Sequence, residues 1–399
     1  MKRMIMALTC TVVALTGEPA GAAQPLRQDP AGAAQPLRQD PAGPGAECRT
    51  VPATRPFAPR TAPGQRRAAA PRTAEFAFAG APMEVVLPPA GWDARTASDE
   101  ELERYGFPER PAGGPELAEW TAENVEYGEV EPAFCRTGRS NAAVLESRNW
   151  AGVVGGPASA PRRRTWRQAS ATWVQPKYDM TSCRRAKAVQ ANSIWPGLGG
   201  GGVRRMRGLL QNGTNIDPAG RPYVWWEAVD IRRGRIVYDT AETRVRGLRV
   251  RPGHRIKAQT VYRGGRRPSV TFRFYNASTR ERLILGPWHR IHGRPVRHFY
   301  DGATAEVIGE RSTVSRDRRR PFSTLPRPSG GRIAFLDSWF GTGRKKARIP
   351  LHRLRRAERV VLSEGVAGRT LMRPSRVAKG RGGASRWSLA WRSCGTGRP

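Results

Sequence analysis

The side chains best suited to chemistry stand in two short apolar runs. The first, GLLQNGTNIDPAGRPYVWWEAVD at Gly208–Asp230, is a pair of strand-like segments around a turn-rich middle. Each segment delivers one polar group among residues otherwise suited to a core, Gln211 from one and Glu227 from the other. Burying an amide or a carboxylate between Leu210 and Trp226 costs free energy unless partners or a task hold it there. The bland alternative is that each residue only ends a strand in solvent. The second run, TAEVIGE at Thr304–Glu310, carries Glu306 and Glu310. Four residues apart on a strand, these two share one face of a sheet.

A carboxyl and a carboxamide suffice in principle to hydrolyse an amide. A glutamate with a pKa of about 4.3 is a general base when ionised and a general acid once protonated. A glutamine NH2 can donate to the carbonyl oxygen as negative charge develops there. Other hydrolytic arrangements lack their residues. There is no G-x-S-x-G, and the Asp-Thr-Gly pair of aspartic peptidases is approached once, by Asp239-Thr240-Ala241. His289, His292 and His298 lie among arginines in WHRIHGRPVRH, where guanidinium charge disfavours a dication. No metal and no cofactor is expected.

These residues need a scaffold, and from about Ser147 the chain supplies strands. ATWVQP, SIWPGLG, RIVYDT, IKAQTVY, SVTFRFYN, RIAFLD, RVVLSE and WSLAWR are short β-branched and aromatic runs separated by Gly, Pro and Asn. Regularly spaced short strands without amphipathic helices between them predict an all-β, antiparallel β-sandwich. Arginines alternate with apolar residues in several runs, which places them on outer faces.

Upstream the composition differs. Lys2 and Arg3, an apolar run to Leu15 and small residues to Ala22 read as a secretory signal peptide over 1–22, too short to span a membrane. AGAAQPLRQDP occurs twice in tandem, and the Pro/Ala/Arg-rich stretch 23–74 reads as a disordered linker. Residues 75–146 form an acidic, prosegment-like region. In it Ser98 and Glu101 make a capping box, Leu102 and Tyr105 add apolar contacts, and Gly106 and Pro108 end the helix. From Asp99 to Glu131 the only basic residues are Arg104 and Arg110. The domain proper spans 147–392, and 393–399 is a tail.

The 69 Lys+Arg against 33 Asp+Glu give a formal charge of +36. Only seven of those cations are lysine, and arginine with abundant Ala, Gly and Pro is what a GC-rich genome produces. No helix-turn-helix, zinc finger or RNP motif accompanies the charge, so no specific nucleic acid is expected. Cys10 leaves with the signal peptide. Cys48, Cys135, Cys183 and Cys394 then allow three disulfide pairings in an oxidising compartment.

The sequence resembles the G1 glutamic peptidases, the eqolisin family, in their bacterial form. The matching pieces are SRNWAGVV at Ser147–Val154, SATWVQP at Ser170–Pro176, SIWPGLGG at Ser193–Gly200 and LLQNGTNID at Leu209–Asp217, followed by YVWWEAVD at Tyr223–Asp230, VRPGHRIKAQTVY at Val250–Tyr262 and AEVIGE at Ala305–Glu310. RIAFLDSWFG and WSLAWR fit its end, and TASDEELERYGFPERP resembles the stretch before the catalytic domain. The resemblance implies a sandwich of two large antiparallel sheets and a Glu/Gln pair, Glu306 and Gln211, with Glu310 the fallback for the glutamate. It also implies that Trp150, Trp195 and Glu227 line or support the substrate cleft and that Asp217 keeps an acidic position. Two motifs depart from it: Trp195-Pro196-Gly197-Leu198-Gly199-Gly200 lacks an acidic residue and gains a proline, and Ala305-Glu306-Val307 loses an aromatic.

The expectation is therefore a secreted, monomeric acid peptidase acting on protein or peptide substrates without a covalent intermediate. The alternative is a sandwich that binds polyanions or glycans without cutting. A retaining glycosidase using Glu306 and Glu310 would need them about 5–5.5 Å apart, whereas four residues of strand span roughly 13 Å. The acidic block Asp99–Glu131 has two readings: a prosegment docked electrostatically on the cleft of the basic domain and released as its carboxylates protonate in acid, or a solvated acidic linker.

Overall fold

In the computed structural model, the alternating run at Ser269–Asn276 is a strand that turns Val270, Phe272 and Phe274 into the core and Thr271, Arg273 and Tyr275 to the opposite face. The same alternation of core-facing residues runs along its neighbours, through Ile256, Ala258 and Tyr262 on one side and Leu283 and Leu285 on the other, and two large antiparallel sheets pack face to face, as expected of an all-β sandwich. The first, called the site sheet below, runs in the order Glu358–Val360, Trp150–Gly155, Ala305–Glu310, Ser193–Gly199, Gly208–Ile216, Pro222–Arg232, Thr243–Arg246 and Ala133–Arg136, with Arg235–Asp239 also paired to Pro222–Arg232. The second, the back sheet, runs Leu362–Glu364, Arg369–Pro374, Ser385–Trp391, Arg332–Gly341, Gln168–Val174, Arg255–Arg263, Ser269–Asn276 and Glu281–Trp288, with Gly128–Glu129 added in parallel at its edge. Between them lies the main core, to which the site sheet gives Ala151, Val153, Leu210, Val224, Trp226, Ala305 and Val307.

The structure describes residues 72–78, 81–89, 91–130, 133–136, 149–156, 165–184, 189–200, 208–232, 235–300, 302–314, 322–343, 348–355, 357–364 and 369–396. The signal peptide assigned to 1–22, the linker as far as 71, Cys48 and the side chain of Cys135 lie outside them. The last residues assigned to the linker are instead part of a hairpin, Arg72–Phe78 with Ala81–Leu87, in register from Arg72↔Leu87 to Phe78↔Ala81. No described helix is long and apolar enough to cross a membrane. Of the three possible cysteine pairings, the structure contains Cys183–Cys394 with Cα atoms 5.5 Å apart, so the tail is tied down as far as Cys394.

The acidic block folds against the back sheet. Its first helix, Asp99–Arg104, carries the anticipated capping box: Ser98 Oγ accepts from Glu101 N at 3.1 Å and Glu101 Oε2 from Ser98 N at 2.9 Å. A second helix, Gly114–Thr121, extends through a π turn to Glu126. Together they place Leu102, Tyr105, Phe107 and Trp120 on Ile284 of the back sheet. Around that contact Lys257 pairs with Glu119 at 3.3 Å and Glu123 at 2.7 Å, Arg280 pairs with Glu126 at 2.8 Å, and Arg263 pairs with Glu103. Arg273, an outward residue by its alternation, is thereby buried and donates to Gly106 O at 2.6 Å and Gln259 Oε1 at 2.9 Å. The block docks with its carboxylates on basic residues around an apolar contact, and its place corrects the reading that put it over the cleft. The described part of the block covers the outer face of the back sheet, on the far side of the core from Gln211 and Glu306.

Candidate functional site

Register assembles the site. In the site sheet Glu306 pairs with Val154 on one side and Gly197 on the other, Gly197 pairs with Gln211, and Gln211 pairs with Glu227. Residues opposite one another on neighbouring strands point to the same face. The row Val154–Glu306–Gly197–Gln211–Glu227 therefore projects from the side of the sheet turned away from the main core. Two strand spacings, roughly 10 Å between backbones, separate Glu306 from Gln211. The position between them is a glycine, so no side chain rises there from the sheet.

A second apolar cluster surrounds the row, made of Trp150, Val154, Trp195, Leu209, Tyr223, Trp225, Val229, Ile231 and Ile308. Gln211, Glu227, Glu306 and Glu310 are all fully buried. Gln211 Nε2 donates to Glu227 Oε2 at 2.5 Å, while Gln211 Oε1 accepts no hydrogen bond. The Glu227 carboxyl is held well above the usual carboxylate range, first by burial and then by Asp239, which is hydrogen-bonded to it, and by the nearby Glu310 and Glu242. Neutral Glu227 can thus share its proton with Asp239 while its other oxygen fixes the Gln211 amide. That leaves the second amide hydrogen and Oε1 of Gln211 uncommitted among the described residues.

Glu310 has a different setting. It lies four residues beyond Glu306 on the same face and accepts from Trp195 Nε1 at 2.7 Å and Asn149 Nδ2 at 3.0 Å. Burial pushes its carboxyl well up, against the opposing effect of the Trp195 donation. Trp195 stands edge-on to Trp150 with ring centroids 5.0 Å apart, and its ring leans over Gly197, where an added Cβ would come within 2.7 Å of it. Glu310 and Trp150 together therefore hold the indole that floors the gap between Glu306 and Gln211. Trp195 is fully buried and Trp150 nearly so, so both act as walls in this structure.

Asp217 is placed elsewhere. It lies beyond the end of the Gln211 strand, accepts from the backbone of Ala219 and Arg221 at 2.9 Å each, and pairs with Arg221 Nε at 2.8 Å. What it holds is the turn into Pro222–Arg232. Glu242, Asn215 and Tyr223 are site neighbours that the sequence did not single out. Buried Glu242 accepts from Tyr223 OH and from Asn215 Nδ2, the latter at 2.8 Å. Glu242 stands in TAETR with no linear cue, and only the pairing of Trp226 with Thr243 brings it beside Glu227. No cluster of metal-ligating side chains occurs among the described residues.

Comparison with known proteins places this region. Two solved structures resemble the chain: Scytalido-glutamic peptidase with a peptide-based transition state analog, at 14% identity over 61% of this chain and 98% of that one with a TM-score of 0.43, and SCP-B, a member of the eqolisin family of peptidases in complex with the tripeptide Ala-Ile-His, at 15% identity over 61% and 98% with a TM-score of 0.41. No curated protein matches the chain. The segment holding every residue of the row, 148–324, matches the family described as the Peptidase A4 family.

Proposed function

We propose that this protein is a secreted, acid-acting endopeptidase in which Glu306 and Gln211 hydrolyse peptide bonds directly with water. The observation that carries this reading is the row itself, a carboxyl and a carboxamide on either side of a glycine on one face of a sheet. The Peptidase A4 match over the same residues supports it. The Cys183–Cys394 disulfide supports export to an oxidising compartment. A water held between Glu306 and Gln211 Oε1 would lose a proton to Glu306 as its oxygen attacks the carbonyl carbon. The uncommitted Gln211 N–H would stabilise the oxyanion, and Glu306 would return the proton to the leaving amine. Because all four polar groups are buried, hydrolysis also requires a state in which this face opens to the peptide.

The test is hydrolysis of a denatured protein between about pH 2 and 7 by wild type, Glu306→Gln and Gln211→Ala, with folding of each checked by circular dichroism. Cleavage confined to acid and lost in Glu306→Gln is the expected result, with Gln211→Ala down by about 100-fold or more, the usual effect of removing an oxyanion donor. No cleavage by folded wild type, or a few per cent of activity retained by Glu306→Gln, would overturn the assignment.

A further inference from the structure

The site face continues past Glu227 onto the strand Thr243–Arg246. Arg244 pairs with Trp225, and Trp225 with Gly213 of the Gln211 strand, so Arg244 projects from the same face as the row, and Arg246 two residues on does likewise. These arginines line a cavity of about 690 Å³ with Arg221, Tyr223, Arg249 and Arg251. Two of its five guanidinium groups are neutralised, Arg221 by Asp217 and Arg249 by Glu281, the latter at 2.8 Å. Arg244, Arg246 and Arg251 have no ion pair among the described residues. Arg244 lies over the Tyr223 ring at 4.5 Å, and its Nε is buried without a hydrogen-bond partner. A buried donor left open beside two exposed cations is an incomplete site for an anion.

The cavity also lies at a useful distance from the row. Two strand spacings of about 4.8 Å and two residues of about 3.3 Å put the Arg244 backbone roughly 12 Å from that of Gln211, which is three to four residues of extended peptide. Resting on the peptidase reading above, we infer that Arg244, Arg246 and Arg251 form a subsite for carboxylate side chains, so that the substrates are polypeptides with an Asp or Glu three to four residues to one side of the cleaved bond. Tyr223 supports it from below: its hydroxyl is committed to Glu242, which holds the ring beneath the Arg244 guanidinium.

The inference can be tested without turnover. A fluorescent peptide carrying two consecutive glutamates and its glutamine counterpart are titrated against Glu306→Gln at about pH 6, where free glutamate with its pKa of about 4.3 is ionised, in about 0.1 M salt. The acidic peptide should bind about tenfold tighter, the effect of one charge-assisted pair, and the difference should vanish in Glu306→Gln carrying Arg244→Gln, Arg246→Gln and Arg251→Gln. Should that variant not fold, Arg246→Gln with Arg251→Gln alters only the two exposed arginines and should still reduce the difference. Equal binding of the two peptides, or a difference that survives in the arginine variants, overturns the subsite. Cleavage of both peptides by wild type in acid separates the two claims: a binding preference at about pH 6 without cleavage keeps the subsite and sinks the peptidase, whereas cleavage without that binding preference does the reverse.

Discussion

Gln211 is useful chemically because Glu227 holds half of it. One amide hydrogen goes to a neutral carboxyl, which sets the plane of the amide and leaves a donor and an acceptor uncommitted among the described residues. The same burial has a measurable consequence. Glu227 and Glu310 keep their protons in the folded state to a higher pH than in the unfolded chain, so between the two values the folded state binds more protons and stability falls as pH rises. The stabilising contribution is complete below the unfolded value of about 4.3 and declines above it by about 1.4 kcal/mol per pH unit for each group. Thermal unfolding midpoints should accordingly decrease from about pH 4.5 toward 7, and the double variant Glu227→Gln, Glu310→Gln should flatten that decrease; an unchanged slope would show that other groups govern it. Gly197 makes a second case. Its missing side chain admits the Trp195 ring, so Gly197→Ala should displace the indole, cost about 1–3 kcal/mol in urea unfolding and reduce cleavage.

Among the elements, the two acidic helices depend on Lys257. Burial works against its charge, but Glu123 and Glu119 outweigh that and hold the ammonium above the usual lysine range. Lys257 in turn holds the more exposed Glu119 below the usual carboxylate range, while burial pushes Glu123 up. Substituting Lys257→Met removes the shared cation and leaves the mostly buried Glu123 without its partner, a change worth up to about 3–5 kcal/mol where such a pair is fully buried. Hydrogen exchange should quicken across 99–126 while the strand Gly208–Ile216 stays protected; equal loss in both would mean that helices and sandwich unfold as one unit. The capping box and Gly106 made the first helix legible in sequence. The second is not legible there, because its cues, Pro115 near the start and Leu117 and Trp120 spaced along one face, span only two turns.

For the whole molecule, Cys183–Cys394 joins residues 211 apart in sequence. In the chain-entropy account a loop of that length restricts the unfolded state by about 5 kcal/mol, and losing a native bridge commonly costs 2–5 kcal/mol. The variant Cys183→Ser, Cys394→Ser should therefore unfold at clearly lower denaturant than wild type, with any activity at low denaturant retained. An unchanged midpoint would show that hydrogen bonds such as Leu325 N to Cys394 O at 2.9 Å already hold this end.

Sequence by itself determined that the domain is an antiparallel sandwich and that Gln211, Glu227, Glu306 and Glu310 are anomalous, because alternation and the cost of a polar group in an apolar strand are local properties. Only the tertiary structure decided what those residues meet. Glu306 and Gln211 are 95 positions apart, and pairing register, which has no linear signature, put one glycine between them. Tertiary structure likewise sent Asp217 to a turn and brought Glu242 beside Glu227. It also divided RVVLSE, which reads as one strand, into Glu358–Val360 on the site sheet and Leu362–Glu364 on the back sheet. Where the acidic block docked was decided in the same way. Its charge announced attraction to a basic surface, but a chain basic on many faces does not specify which one, and the choice fell to the fit of Leu102, Tyr105, Phe107 and Trp120 around Ile284.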